Sequence, residues 1–153
     1  MGKKNYSVSV IQLELNNSPD ENRKKCIAWI RKAANDGAEV ICLPELYSSH
    51  YFCQREEVEN FSFAERLGAV SFTAFSALAS ELGVVIIVPF FEKRTAGIYH
   101  NSAYIIDTDG KQAGLYRKMH IPMTHIFTKN STLLRISTFS KKLHYISIII
   151  SNG

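Results

Sequence analysis

Cysteine is scarce in this sequence, and the spacing of the few cysteines excludes two kinds of site. The 153 residues contain three, Cys26, Cys42 and Cys53, an odd number with no CxxC pair. A disulfide framework needs paired cysteines, and a structural zinc site usually takes closely spaced Cys or His ligands. The cysteines therefore predict neither a disulfide-stabilised protein nor a metal centre.

Long apolar runs are also absent. No run approaches the roughly 20 apolar residues that are needed to cross a bilayer. The apolar stretch near the N-terminus is interrupted by Gln12 and Glu14, so it does not have the form of a signal peptide. The sequence therefore predicts a soluble, cytoplasmic protein without a membrane partner.

Acidic residues are missing from one part of the chain. All 14 of them precede Met123, so the net charge of +4 comes from basic residues at 129, 135, 141 and 142. A basic balance can indicate nucleic-acid binding. These charges are diluted among Ser, Thr and Ile and form no aromatic stacking platform for bases, so we expect no nucleic-acid partner.

What is present is an alternation of strand and helix signals, which predicts an α/β fold. Ser18-Pro19 with Glu21 is typical of a helix start with a capping box, and apolar residues then recur at helical spacing up to Asp36-Gly37. Asp109-Gly110 predicts a tight hairpin turn. The predicted strands are residues 6–15, 40–43, 84–91, 99–107 and 112–116, and the predicted helices begin at residue 18 and at residue 69.

Four segments carry a family resemblance: LPELYSSHYFCQ from Leu43, FFEKR from Phe90, YHNSA from Tyr99 and YRKMHIP from Tyr116. In this order and spacing they resemble the carbon-nitrogen hydrolase (nitrilase) superfamily and, within it, the N-carbamoylputrescine amidase family. The resemblance implies the N-terminal half of a nitrilase-type αββα sandwich. It also implies hydrolysis of a small-molecule amide or carbamoyl substrate, a role in polyamine biosynthesis, no cofactor and no metal.

The family works with a Glu-Lys-Cys triad, and two of its members can be placed on this sequence. By resemblance Glu45 is the general base, Lys118 is the catalytic lysine and Tyr51 is a substrate-binding residue. Glu45 also follows a predicted strand, and sites in open α/β sheets are built at such strand ends. The nucleophilic cysteine belongs to a later ICWDQW-type motif, which these 153 residues do not contain, so we expect the chain to be inactive.

Each of these residues has a structural alternative. A lone LPE would favour a solvated carboxylate, and Lys118 beside Arg117 would be an ordinary exposed base. Tyr51 and Glu92 could line the pocket or be packing and strand-edge residues. Asn101 is interpreted as satisfying backbone groups at a strand start. Cys53, in a predicted loop near Glu45, is the alternative nucleophile.

The resemblance runs from about residue 6 to residue 122 and then stops. Family members continue with a segment close to DDPxFYEKFYFTPGD, and a one-nucleotide shift at the Pro122 codon makes residues 123–135 compatible with DDP(H/Y)FYEKFYFTP. We therefore divide the chain into a hydrolase part, residues 1–122, and an out-of-frame or divergent tail, residues 123–153. Sequencing the gene across the Pro122 codon distinguishes the two origins.

The tail has one strand-like stretch, residues 145–150, which is β-branched and uncharged. Such a segment can pair with an exposed sheet edge or with copies of itself, whereas we expect residues 123–144 to be poorly ordered. Besides a hydrolase, two other interpretations remain open: a non-catalytic fragment that binds an intact family member or forms a homo-oligomer, and the product of a damaged gene.

Overall fold

The computed structural model describes residues 5–52 and 57–119, and the backbone of residues 145–151. These ranges contain six strands and two α-helices, with one short 3₁₀ helix at Val58–Phe63. The elements are β1 (Asn5–Ile11), α1 (Pro19–Asn35), β2 (Val40–Cys42), α2 (Val70–Leu82), β3 (Val85–Thr95), β4 (Ile98–Ile106), β5 (Gln112–Arg117) and β6 (Tyr145–Ser151). The α/β class predicted from the sequence is confirmed.

The strands form one mixed sheet in the order β5-β4-β3-β2-β1-β6. Strands β1, β2 and β3 are parallel, and β4, β5 and β6 each pair antiparallel with a neighbour. Because two successive hairpins reverse the chain twice, β5 runs in the same direction as β1, β2 and β3. The carboxyl ends of these four strands therefore lie at one end of the sheet.

Both α-helices pack on the same face of this sheet. Helix α1 contributes Cys26 and Ile30 to the core and α2 contributes Phe75, all of them fully buried. The strand residues that meet the helices alternate along each strand, as the pleat requires. They include Ile11, Ile41, Leu43, Ile86, Val88, Phe90, Tyr104 and Ile106.

The opposite face, which we call the open face, carries the intervening residues. It comprises Val8, Val10, Val40, Cys42, Val85, Ile87, Pro89, Ala103 and Ile105, all half-buried or exposed. No α-helix in the described part of the chain packs over these side chains. A nearly continuous apolar surface is therefore left in partial contact with solvent.

Helix α1 begins as its sequence predicts, with one difference in how the cap is made. Ser18 is the N-cap, its hydroxyl accepts from the Glu21 amide, and Pro19 occupies the first helical position. The reciprocal half of the capping box is absent, because the Ser18 amide donates to the Asn16 side chain at 2.8 Å. Glu21 instead accepts from the Asn16 amide group at 2.7 Å, so Asn16 links the two ends of the expected box.

The strand predictions need three corrections. Strand β1 ends at Ile11 rather than at residue 15. Strand β3 continues beyond Phe91 to Thr95 and forms a hairpin with β4, a pairing that the sequence interpretation missed. The turn before β5 spans Asp107 to Lys111, closed by the Asp107 amide donating to the Lys111 carbonyl at 2.8 Å, so it is longer than the expected two-residue turn.

The strand-like stretch of the tail pairs with a sheet edge, as expected. Strand β6 runs antiparallel to β1, with Tyr145 opposite Ile11 and Ser151 opposite Asn5. The predicted poor order of residues 123–144 concerns a segment outside the described residues. Among the described helices, none is long and apolar enough to cross a membrane.

Candidate active site

The chain turns sharply at the carboxyl end of β2, and this turn presents Glu45. The Leu43 amide still pairs with β3, donating to the Ile87 carbonyl at 3.0 Å. The ladder does not reach Glu45, and the next residue, Leu46, adopts a φ of 55° while its side chain is fully buried. A left-handed backbone conformation costs free energy at any residue that carries a Cβ, and it persists only where the surrounding packing enforces it. The position of Glu45 is thus fixed by a strained, buried neighbour.

The Glu45 carboxylate receives two hydrogen bonds on the same oxygen. Asn101 Nδ2 donates to Oε1 at 2.6 Å, and Lys118 Nζ donates to Oε1 at 3.0 Å. The Glu45 and Lys118 side chains are 32% and 23% exposed, so the ion pair is partly shielded but accessible from solvent. The structure therefore brings together the two residues that the sequence interpretation selected from separate motifs.

Strands β4 and β5 hold the two donors side by side. The Lys118 amide donates to the Asn101 carbonyl at 2.9 Å, one residue beyond the end of β5. Asn101 lies opposite Phe91 on the neighbouring strand β3. The expectation that Asn101 serves backbone groups is wrong for its side chain, which binds Glu45 and is 5% exposed. Its place in the YHNSA segment was the available signal, but the strand register was needed to show its partner.

A mainly aromatic hydrophobic cluster borders this site and contains Tyr51. Its buried members are Leu46, Phe52 and Phe91, and Tyr51 packs against them as a partly buried side chain. The Phe52 and Phe91 rings lie 5.3 Å apart between centroids. This placement fits the packing alternative for Tyr51, and its substrate-binding role stays a prediction.

Glu92 does not lie with Glu45, and it is not a strand-edge residue. Neighbouring residues of a strand point to opposite faces, so Glu92 faces the helices while Phe91 borders the site. Its carboxylate is fully buried and bound by Arg117, with which it forms an ion pair at 2.6 Å. Arg117, to which the sequence analysis gave no role, therefore pairs with a buried carboxylate.

The described thiols are not activated. Burial raises the pKa of Cys26 to about 12 and raises the pKa of Cys42 as well. Catalytic cysteines instead have lowered pKa values, which favour the thiolate. Cys53, the alternative nucleophile, lies outside the described residues. In the ranges that the structure describes, no group of three or more His, Cys, Asp or Glu side chains could hold a metal ion.

Solved structures resemble this chain in fold, and curated proteins resemble it in sequence. A carbon-nitrogen hydrolase from Helicobacter pylori G27 superposes with a TM-score of 0.72 at 36% identity, over 77% of this chain and 41% of the other. This likeness confirms the predicted nitrilase-type fold. The Solanum tuberosum N-carbamoylputrescine amidase is 41% identical over 125 residues, which cover 80% of this chain and 41% of that protein.

A third relative extends the comparison beyond one enzyme name. The citrullinase of Francisella tularensis subsp. tularensis is 37% identical over 119 residues, covering 77% of this chain and 41% of that protein. This chain therefore spans about two fifths of the length of these relatives. The profile of the carbon-nitrogen hydrolase family matches residues 7–148. On this match, and on the identity to these relatives, the chain belongs to the carbon-nitrogen hydrolase family.

Proposed function

We propose that this chain carries the Glu-Lys half of the active site of an amidase-like hydrolase that cleaves a non-peptide C–N bond. The observation that carries the proposal is the Glu45 carboxylate bound by Lys118 at 3.0 Å and by Asn101 at 2.6 Å. A base and a donor of positive charge in direct contact are what acyl transfer requires beside a nucleophile.

The relatives support a carbamoylated amine as the substrate class. One is named N-carbamoylputrescine amidase and another citrullinase, and N-carbamoylputrescine and citrulline both end in a carbamoyl group on a primary amine nitrogen. Within this class we propose N-carbamoylputrescine as the substrate, which would yield putrescine, ammonia and carbon dioxide in polyamine biosynthesis.

In the proposed reaction a cysteine thiol adds to the carbamoyl carbon, and Glu45 takes the thiol proton. Both described hydrogen bonds to this carboxylate end on Oε1, which leaves Oε2 to receive it. Lys118 then donates to the oxyanion of the tetrahedral intermediate. Glu45 returns the proton to the leaving nitrogen, and it later accepts a proton from the water that releases the acyl group.

Asn101 has a separate part in this scheme. Its side chain donates to Glu45 from a buried position, and its carbonyl accepts from the Lys118 amide. Asn101 therefore contacts both the base and the lysine. We infer that Asn101 fixes the distance between the two catalytic side chains.

We propose that the 153-residue chain does not complete this reaction alone. Cys26 and Cys42 are unactivated thiols, and no cysteine follows Cys53 in the sequence. The apolar open face favours a second candidate function, a non-catalytic fragment that binds an intact family member, and a damaged gene product is the third. We also propose that the chain divides at residue 122 into a hydrolase part and a tail.

The test has two parts. The chain should release no ammonia from N-carbamoylputrescine or citrulline, because removing the nucleophile of a concerted triad costs about 10⁶-fold in kcat. In a chimera, residues 5–119 replace the matching segment of the Solanum tuberosum enzyme, which then supplies the rest. This chimera should release ammonia, and Glu45→Gln or Lys118→Ala should each lower its kcat by at least about 10⁴-fold.

Two results would contradict the proposal. The first is a folded chimera that stays inactive, or one that is indifferent to Glu45→Gln. The second is ammonia release by the 153-residue chain that Cys53→Ala abolishes, which would make Cys53 the nucleophile. Circular dichroism of each chimera shows that loss of activity is not loss of fold.

A further inference from the structure

A second carboxylate is buried on the helix side of the sheet, beneath the candidate active site. Glu92 has no exposed surface, and both of its oxygens are hydrogen-bonded. Arg117 donates from Nε to Oε2 at 2.7 Å and from Nη2 to Oε1 at 2.6 Å, the bidentate geometry of a planar guanidinium. Ser102 Oγ adds a third bond, to Oε2 at 2.6 Å.

The partners of Glu92 are the chain neighbours of the residues that bind Glu45. Ser102 follows Asn101 in β4, and Arg117 precedes Lys118 at the end of β5. Ser102 and Arg117 also lie directly opposite each other in the β4–β5 ladder. Since successive residues of a strand point to opposite faces, the same two stretches of chain bind Glu92 on one face and Glu45 on the other.

We propose that Glu92 is a positioning residue for the active site: it ties the ends of β4 and β5 together so that Asn101 and Lys118 meet the Glu45 carboxylate. This inference rests on the proposed function. Lys118 is the first residue after β5, where a strand end would otherwise fray. The Arg117 fork holds the backbone one residue before it.

The geometry explains why a charged pair suits this place. A buried ion pair is often no more stabilising than apolar residues of the same volume, so stability alone does not account for it. Unlike an apolar contact, the guanidinium fork fixes both the distance and the direction of its partner. Because β3 is held on its other side by β2, the fork aligns the outer two strands with the strand that precedes Glu45.

The test measures the reactivity of Lys118 in the folded 153-residue chain. Trace labelling with acetic anhydride, followed by mass spectrometry, gives the acetylation rate of each lysine relative to Lys24 on α1 in the same sample. Glu45→Gln removes the partner of Lys118 and should raise its relative rate severalfold. Glu92→Gln should raise it by a similar factor although it lies on the other face, and Arg117→Lys should give an intermediate rise.

A matched control separates positioning from general destabilisation. Ile86→Val shortens a buried side chain on the same strand and face as Glu92, and it should lower the melting temperature without changing the Lys118 rate. Should Glu92→Gln fail to fold, Ser102→Ala removes one bond to the same carboxylate and serves in its place.

Each outcome decides between the two proposals. No rise for Glu92→Gln, or for Ser102→Ala in its place, with a rise for Glu45→Gln, overturns the positioning role and leaves the active-site proposal standing. An equal rise for Ile86→Val also overturns the positioning role. No rise for Glu45→Gln overturns the Glu45–Lys118 pair itself, and the positioning role with it.

Discussion

Two glutamates, Glu45 just after β2 and Glu92 in the neighbouring strand β3, lie on opposite faces of one sheet. They show how the surroundings of a carboxylate determine its use. Glu45 is partly exposed, and both of its donors bind one oxygen, so the other oxygen can face a reacting group. Glu92 is fully buried with three hydrogen bonds on its two oxygens. These bonds favour the ionised form of Glu92, which suits a structural contact and not a base.

The pH dependence of stability should report this difference at Glu92. Burial opposes its ionisation, but the bonds from Arg117 and Ser102 prevail and hold its pKa below the ordinary 4.5. Because the folded state then binds a proton less readily than the unfolded state, the contact stabilises the fold above pH 4.5 and is lost as pH falls through the lower folded-state pKa. Glu92→Gln should flatten this acid-side loss, measured as urea midpoints by pulse proteolysis at several pH values.

Glu81→Gln is the matched control for that measurement. Its hydrogen bond with Arg31 likewise lowers the pKa of Glu81, but both side chains are exposed, and exposed pairs contribute little to stability. Its pH profile should follow the wild-type profile closely. Identical acid-side slopes for wild type and Glu92→Gln would contradict the account of Glu92.

At the residue scale, the sequence motifs identified the candidate site residues. They did not identify hydrogen-bond partners whose contact depends on strand register. Glu45 and Lys118 were selected because LPEL and YRKMHIP occur together. The Asn101 bond to Glu45 and the Arg117 bond to Glu92 join strands whose pairing the sequence did not specify. The side of the sheet that a residue faces follows from alternation only after the strand is recognised, and β3 was recognised only as far as Phe91.

At the scale of elements, the two hairpins at one side of the sheet differ in how their turns meet the rest of the molecule. The turn between β3 and β4 contains Gly97, with a φ of 72° and open space where a Cβ would lie. The turn between β4 and β5 contains Gly110, with a φ of 79°, whose carbonyl accepts from the Ser76 hydroxyl of α2. Only the second turn is packed against a helix.

Substitution of the two glycines by alanine should separate backbone strain from packing. Gly97→Ala should cost about 1 kcal/mol, because a left-handed conformation is unfavourable for any residue with a Cβ. Gly110→Ala should cost about 1–3 kcal/mol more, since its Cβ would lie 2.7 Å from the Ser76 carbonyl oxygen. Urea midpoints of the two variants measure this difference, and equal losses would show that the turn is not docked on α2.

Helices were predicted better than strand ends, for a physical reason. The signals that begin and end α1 are local: a Ser18 cap, Pro19 at the first position and a C-cap at Asp36. The continuation of β3 through Glu92 and Lys93 contradicts the usual depletion of charged residues in strands. It is stabilised by the hairpin pairing with β4, which depends on strand register, and by the contact of Glu92 with Arg117, which lies much further along the chain.

At the scale of the whole molecule, the helices that the structure describes cover only one face of the sheet. Ile106 on the helix side is fully buried, whereas its neighbour Ile105 on the open face is half-buried. Exposed contiguous apolar surface of this kind marks an interaction site or an aggregation hazard. We therefore expect the 153-residue chain to self-associate, or to stay soluble only with a partner.

A pair of lysine substitutions at adjacent positions tests this expectation. Ile105→Lys places a charge on the open face, where its ammonium can reach solvent along the flexible stem, and it should raise the fraction of monomer in analytical ultracentrifugation without loss of fold. Ile106→Lys buries an unpaired charge in the core and should abolish cooperative unfolding. If Ile105→Lys were as damaging as Ile106→Lys, the open face would be covered. A wild-type chain that stays monomeric at high concentration and unfolds cooperatively would equally contradict the expectation, and it would favour an evolved C-terminal segment over an out-of-frame one.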